Sequence, residues 1–260
     1  MKKNNLIKLL ITILAVFFFY GKAYSSNKDL LKIDWSFAGL TGKFERDSLQ
    51  RGYQVYKEVC SSCHSMKYLS YRNLGQNGGP EFTLEEVKAI AASYDVEDGP
   101  NSDGEMYERP GRPSDHFVNP YPNDNAAIAA NGGAYPPDMS VLVKARTGGA
   151  NYIYSILMGY EEKPAGFVLD EGVYYNKYMD GNKIKMMSPL SDELIEYTDG
   201  TNATQAQMAK DVTSFLTWAA EPHLEARHRT GTKVIIYLVL LATLVYFSMK
   251  KIWSRVDAKK

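Results

Sequence analysis

The sequence predicts an all-α domain with unusually long loops, tethered by a single helix near its C-terminus. Three observations lead there. Apolar residues recur at helical spacing over 44–59 and 204–220, no internal repeat or sustained strand alternation is present, and residues 234–249 (VIIYLVLLATLVYFSM) hold no charge. A chain of 260 residues has room for one main domain with appendages rather than for several large ones.

Taken in order, residues 1–25 read as a secretory signal. Lys2 and Lys3 form a basic start, the run 9–19 is apolar, and the segment Ala23, Tyr24, Ser25 places small residues at cleavage spacing. An uncleaved anchor helix is the competing reading, and either one takes the bulk of the chain out of the cytoplasm. Residues 26–226 then form an exported domain, and 227–260 an anchor with a short basic tail.

Within the domain, 44–59 is a helix on the spacing of Leu49, Gly52, Tyr53, Tyr56 and Val59, and it runs directly into Cys60. Residues 75–137 are rich in Gly, Pro, Asn and Asp and read as loop, interrupted by one helix over 83–93 with Thr83 as N-cap and Glu86 three residues on. Short helices are expected over 140–146 and 151–159, then another loop through Ser188 and a turn of helix over 191–197. The helix over 204–220 carries Met208, Val212, Phe215, Leu216 and Ala219 on one stripe, and Pro222 ends it. Loops this long need something to organise them, and a large apolar cofactor would do so. The uncharged run 234–249 would span about 24 Å as a helix, short of the roughly 30 Å of bilayer hydrocarbon. Lys233, Lys250, Lys251 and Trp253 are placed to reach the two interfaces. Arg227 and Arg229 beside Lys233 leave the positive-inside rule without a preference.

Thirty basic residues offset thirty acidic ones, yet the charge is separated along the chain. Segments 1–25 and 227–260 hold twelve of the Lys and Arg but only Asp257 among the acids, so 26–226 carries eighteen basic residues against twenty-nine acidic ones. A field of that sign repels nucleic acid and favours basic partners. It is most concentrated over 81–108, where nine acids accompany the lone base Lys88. That stretch reads either as a solvated loop or as a docking surface for a basic protein.

The chemistry concentrates at Cys60, Ser61, Ser62, Cys63 and His64, which include the chain's only two cysteines. In this arrangement two thiols can form thioethers to the vinyl groups of one rigid haem, and the adjacent imidazole reaches the iron from the face that the attachment fixes. A zinc site lacks its remaining ligands, since His116, His223 and His228 are scattered. A thioredoxin-type dithiol would sit beside a βαβ pattern, which is absent. One covalently bound haem c is therefore the expected cofactor, held by Cys60, Cys63 and His64. For the opposite face of the iron, Met66 is too close to His64. Met139, Met158, Met179, Met186, Met187 and Met208 remain, and Met208 belongs to an apolar helix stripe. Met186 and Met187 sit in KIKMMSPL, an irregular segment closed by Pro189. Periodicity does not choose between them, and His116 is a rival. A thioether ligand raises the reduction potential, which suits a carrier late in an electron-transfer chain.

Longer motifs, in order along nearly the whole chain after residue 25, resemble the cytochrome c1 family. They are GYQVYKEVCSSCHSMKYLSYR (52–72), DGPNSDGEMYERPG from Asp98, PYPN (120–123), PPDMS (136–140) and AKDVTSFLTWAAEP ending at Pro222. The resemblance implies an all-α haem domain of the mitochondrial cytochrome c type, enlarged by insertions and held by one C-terminal transmembrane helix. It implies Met186 as the second axial ligand beside His64, through an I-x-M-x-x-P setting met here by Ile184, Met186 and Pro189, with Met187 and Ser188 as departures. It also implies that Arg146, in VKAR, pairs with a haem propionate, and that Tyr56, Asn131, Pro136 and Tyr152 line the pocket. On the residues alone, these would be a surface charge and ordinary core or turn positions.

By the same resemblance the chain is the haem subunit of ubiquinol:cytochrome c reductase, the cytochrome bc1 complex, and an electron carrier within that enzyme. It would accept an electron from the Rieske iron–sulfur protein beside cytochrome b and pass it to a soluble or tethered cytochrome c. The expected setting is a bacterial inner membrane, rather than a mitochondrial one, with the haem domain on the periplasmic side and the anchor in contact with membrane lipid. The alternative reading is a stand-alone tethered c-type cytochrome that feeds a terminal oxidase.

Overall fold

The computed structural model describes residues 29–257, and the signal expected over 1–25 lies outside them. The chain divides into a unit of Met1–Leu30 and a main unit from Leu31 onward, and the helices of the described residues belong to the main unit. Among the described residues there are six α-helices and two short antiparallel ladders, so the all-α expectation holds.

Helix α1, Arg46–Val55, follows an extended Glu45 and buries Ser48, Leu49, Gly52, Tyr53 and Val55. Its last turn widens into a π-helical turn, Tyr56–Cys60, so the helix expected over 44–59 starts two residues later and delivers Cys60 at its end. Helix α2 is Leu84–Ala92. Thr83 Oγ1 accepts from Glu86 N at 3.3 Å while Thr83 N donates to Glu86 Oε2 at 2.7 Å, the reciprocal cap that the spacing predicts. Helix α3, Asp124–Ala130, is capped by Asn123 Oδ1, which accepts from Ala126 N at 2.9 Å. Helix α4, Gly149–Met158, begins after Gly148 in the left-handed region (φ 93°) and ends at Gly159. Helix α5, Gln205–Ala220, is capped by Thr204 and is buried at nearly every position from Met208 to Ala219.

The core forms where α1 crosses α5. A Cβ on Gly52 would lie 2.1 Å from the Asp211 carbonyl oxygen and 2.7 Å from Phe215 Cβ, so the two backbones touch here. The Asp211 side chain beneath this contact has no exposed surface. Its carboxylate accepts from Ser48 Oγ at 2.7 Å, Arg51 Nε at 2.8 Å, Gln207 Nε2 at 2.9 Å and Tyr197 Oη at 3.2 Å. Burial works against the charge of Arg51, but Asp211 and Asp199 together hold its pKa above the usual value. Around the crossing, Tyr53 meets Phe215 and Phe82 edge-on, and Phe117 stacks on Tyr71 with centroids 4.8 Å apart.

The irregular N-terminal segment of the main unit straps across α4. Leu31 N donates to Ser155 Oγ at 2.9 Å, and Trp35 Nε1 donates to Asn151 Oδ1 at 2.7 Å, with Trp35 and Phe37 stacked beneath.

Several loop expectations are corrected. The loop over 75–137 contains α3 and a hairpin, β1 (Asp95–Asp98) paired with β2 (Tyr107–Pro110). The loop through Ser188 holds a second ladder, β3 (Tyr174–Tyr175) with β4 (Lys183–Ile184). Residues 140–146 form successive turns rather than a helix, being too short to offset nucleation before the left-handed Gly148 and Gly149. Residues 191–197 are irregular because Glu193 is left-handed (φ 59°) and its N–H donates to Ala203 O at 2.9 Å, outside the segment.

Helix α6, Leu224–Asp257, is one uninterrupted helix of 34 residues, about 51 Å long. Its apolar residues are exposed all round over 234–249, and it is long and apolar enough to cross a membrane.

Replacing Gly52 by Ala is expected to destabilise the folded domain by at least about 3 kcal/mol, through overpacking against a backbone carbonyl that cannot yield. Chemical denaturation of the purified holoprotein measures this, and a shift under about 1 kcal/mol, on the order of a tolerated surface change, would refute the crossing.

Candidate functional site

The π-turn at the end of α1 feeds a compact loop. Cys63 N and His64 N both donate to Cys60 O, at 3.2 and 2.9 Å, so the second cysteine and the histidine fold back over the first. Both cysteines are half-buried and free. Burial, with a contribution from Cys63, pushes the Cys60 thiol up to about 12, so it remains protonated at neutral pH.

His64 is oriented from outside its own segment. Its Nδ1 lies 2.9 Å from Pro137 O, and because a carbonyl can only accept, Nδ1 carries the proton and Nε2 presents its lone pair. Burial lowers the His64 pKa, which favours the neutral ring. Tyr56, buried between Phe117 and Phe215, donates from Oη to His64 O at 3.3 Å.

The contact at Pro137 is one of a series. Met139 N donates to Ser65 O at 2.8 Å, while Asp138 Oδ2 accepts from Ser65 Oγ at 2.8 Å and Lys67 N at 2.9 Å. Tyr68 N donates to Ser140 Oγ at 3.1 Å. Residues 136–140 are thus laced along 64–68, which clamps the segment after the second cysteine. Although burial opposes its charge, backbone and hydroxyl donors hold Asp138 below the usual carboxylate range. Pro137, Asp138 and Ser140 were not candidates on sequence. The only signal was that PPDMS and CHSMK are both distinctive, and nothing in either shows that they meet.

The other candidates lie at different removes. Asn131, at the C-terminus of α3, donates from Nδ2 to Ala127 O at 2.7 Å and to Tyr121 Oη at 3.2 Å, and Tyr121 Oη in turn lies 3.9 Å from Cys63 Sγ. Pro136 and Tyr121 line a shallow cleft that Cys63 also borders. Tyr121 is a further residue that sequence reasoning missed. Tyr152, on α4, donates to Met179 Sδ at 3.6 Å. Met186 is half-buried and its carbonyl accepts from Tyr160 Oη at 3.0 Å, whereas Met187 is 64% exposed. Arg146 is exposed, donates from Nη1 to Ala145 O at 3.1 Å, and has no carboxylate at ion-pair distance among the described residues. Among the described residues no hydrogen bond joins Tyr152, Met186 or Arg146 to the cysteine loop. His116 is exposed and pairs with Ser70 in an isolated bridge, and Met208 is fully buried in the core.

The donor set fits a covalently attached haem. It offers two free thiols at one turn, a neutral imidazole with a fixed tautomer, a half-buried thioether, and a guanidinium with no carboxylate partner among the described residues. No cluster of three His, Cys, Asp or Glu that could hold a bare metal ion occurs among the described residues.

Replacing Asp138 by Ala is expected to cost about 1–3 kcal/mol, because the donors of Ser65 and Lys67 lose their acceptor. Thermal unfolding would show the loss. An unchanged melting profile would mean that the lacing contributes nothing.

A family model described as the Cytochrome C1 family matches residues 35–256. The chain is 51% identical over 239 residues to "Cytochrome b/c1" of Bradyrhizobium diazoefficiens, covering 85% of this chain and 35% of that protein. It is 50% identical over 226 residues to "Cytochrome c1-2, heme protein, mitochondrial" of Solanum tuberosum, covering 87% and 86%. With "Cytochrome c1" of Rhodospirillum rubrum it shares 44% over 252 residues, covering 91% and 92%. The chain thus spans about a third of the Bradyrhizobium protein and most of the other two. With a match over most of its length, to relatives that include proteins close to its own size, the chain belongs to the cytochrome c1 family of electron-transfer proteins, which carry one covalently attached haem c.

Proposed function

We propose that Cys60 and Cys63 form the two thioethers to haem c, that His64 Nε2 and Met186 Sδ are the axial ligands, and that the chain takes an electron from a Rieske iron–sulfur protein and delivers it to cytochrome c. The orientation of His64 carries the reading. A neutral imidazole whose Nδ1 is bound by Pro137 O, set directly after two free thiols, is the donor that a c-type haem requires.

When bound, the haem supplies a one-electron iron couple; the chain's residues hold, orient and shield it. Met186 is preferred over Met187 on burial, since Ile184 and Met186 are half-buried while Lys183, Lys185 and Met187 are exposed. Arg146, which donates to Ala145 O but has no carboxylate partner among the described residues, suits a propionate. Asn131, through Tyr121, and Pro136 border the cysteine side of the site, and Tyr56 backs His64. Tyr152 is assigned to the pocket on family pattern, as a supporting contact of Met179.

The acidic segment supports docking of a basic partner. Of its nine acids, Glu81 pairs with Arg46, Glu85 with Lys88 and Asp98 with Arg109, and Glu86 caps α2. The others, Asp95, Glu97, Asp103, Glu105 and Glu108, are exposed on or beside the hairpin without an ion-pair partner among the described residues. Glu97 stands directly across the ladder from Glu108. Like charges in register weaken a hairpin, so their concentration suits an external cation. A basic cytochrome c fits, with opposite fields speeding encounter more than tightening the complex. We place the haem domain on the periplasmic side of a bacterial inner membrane, in the cytochrome bc1 complex beside cytochrome b, with α6 in contact with lipid.

Met186→Leu is expected to abolish the sulfur-to-iron charge-transfer band and lower the reduction potential, with Met187→Leu leaving both nearly unchanged. The reverse result would reassign the ligand. Glu97→Gln with Glu108→Gln should slow oxidation by a basic cytochrome c about fivefold at low ionic strength, with convergence to wild type in high salt and an unaltered potential. Stopped-flow rates across a salt series test it, and a salt-independent difference would count against docking at the hairpin.

A further inference from the structure

The first turns of α6 are bolted to the segment that leads into α1. Glu225 accepts from Arg46 in a bidentate pair, Nη1 to Oε1 at 2.8 Å and Nη2 to Oε2 at 2.9 Å, and its Oε1 also accepts from Phe44 N at 2.9 Å. The remaining edge of the guanidinium, Nε, meets Glu81 Oε1 at 2.9 Å. Glu81 is left-handed (φ 57°), a conformation that a non-glycine residue adopts only when its surroundings require it, and its Oε1 also accepts from Gly78 N at 2.8 Å. One turn further along α6, His228 Nδ1 donates to Gly42 O at 3.1 Å. On the other flank, Glu221 binds Lys144 at 3.1 Å and also Arg227. The pair is partly shielded, with Glu225 18% and Arg46 27% exposed at the side chain.

Among the described residues no hydrogen bond or ion pair joins this cluster to the cysteine loop. The cluster joins the membrane-spanning helix to the start of α1, the helix whose π-turn continuation ends at Cys60. We infer that Arg46 and Glu225, braced by Glu81 and His228, are positioning residues. They set the angle of the haem-bearing domain to α6, and with it the distance over which an electron must pass to and from partners in the membrane. The geometry has the features of a rigid mount. A planar bidentate pair resists twisting as well as separation, and the backbone contacts at Phe44 and Gly42 take the load on either side of it.

The inference rests on the electron-transfer reading. It is tested in native membranes containing the full chain, as Glu225→Gln and as Arg46→Ala with Glu225→Ala, with Arg46→Lys as the conservative form. Absorption spectrum and reduction potential report the haem site. Electron paramagnetic resonance of oriented membranes reports the tilt of the haem, and quinol-driven reduction reports function. The double variant is expected to keep the native spectrum and potential, to lose the sharp orientation dependence, and to be reduced about tenfold more slowly, with Arg46→Lys, which keeps the charge without the planar fork, recovering only part of both. If the double variant does not accumulate, Glu225→Gln alone decides. Unchanged orientation with a native spectrum would overturn the inference, as would a shifted potential, which would mark a plain structural role. If wild-type membranes show no quinol-driven reduction while orientation is still lost in the variants, the electron-transfer reading fails and the mount stands.

Discussion

Where α1 crosses α5, the two backbones approach so closely that Gly52 has no room for a side chain and Asp211 is sealed beneath. A buried carboxylate is tolerated only when its oxygens are fully engaged, and Ser48, Arg51, Tyr197 and Gln207 provide the donors from three parts of the chain. The remaining architecture is hung from this contact. It sets the line of α1, so that the π-turn presents Cys60, and it sets the line of α5, from which α6 departs after three residues. A change at the crossing would therefore reach both the cysteine loop and the anchor.

The long loops are held less by apolar burial than by side chains that bind backbone. Asp138 gathers donors from Ser65, Lys67 and Ser140. Asn176, with no exposed surface, donates to Ile156 O and accepts from Tyr178 N and Met179 N. Asn151 ties down the N-terminal strap. Each of these residues satisfies backbone groups that regular secondary structure does not pair, which is what lets irregular chain pass beside a site. The cofactor does not have to organise every loop alone.

Helix α1 was legible from its apolar spacing, α2 from its cap, α5 from its stripe and the proline that ends it, and α6 from its uncharged run. Thr83 with Glu86, and Thr204 before the Met208 stripe, are local signals that survive into the structure. Helix α3 escaped notice because an alanine-rich helix of about two turns has no apolar stripe, although Asn123 was a readable cap. The β1–β2 hairpin has charged residues where strand formers would be expected, so only pairing reveals it. Segment 191–197 lost its helix to a hydrogen bond with Ala203, ten residues from Glu193 and invisible to local pattern. In the site, the cysteine–histidine cluster was legible from spacing alone. The role of Pro137 and Asp138 was not, since it depends on two segments more than seventy residues apart meeting through backbone carbonyls and amides.

The uninterrupted course of α6 has a consequence for access. His228 is still tied to the domain, and the uncharged run begins at Val234, so only the stretch 229–233, about 7 Å of helix, separates the folded body from lipid. Headroom beneath the domain is therefore close to a single helical turn. A water-soluble partner has no passage under it and must approach from the flanks or from above. A partner already embedded in the bilayer can come alongside without leaving the surface.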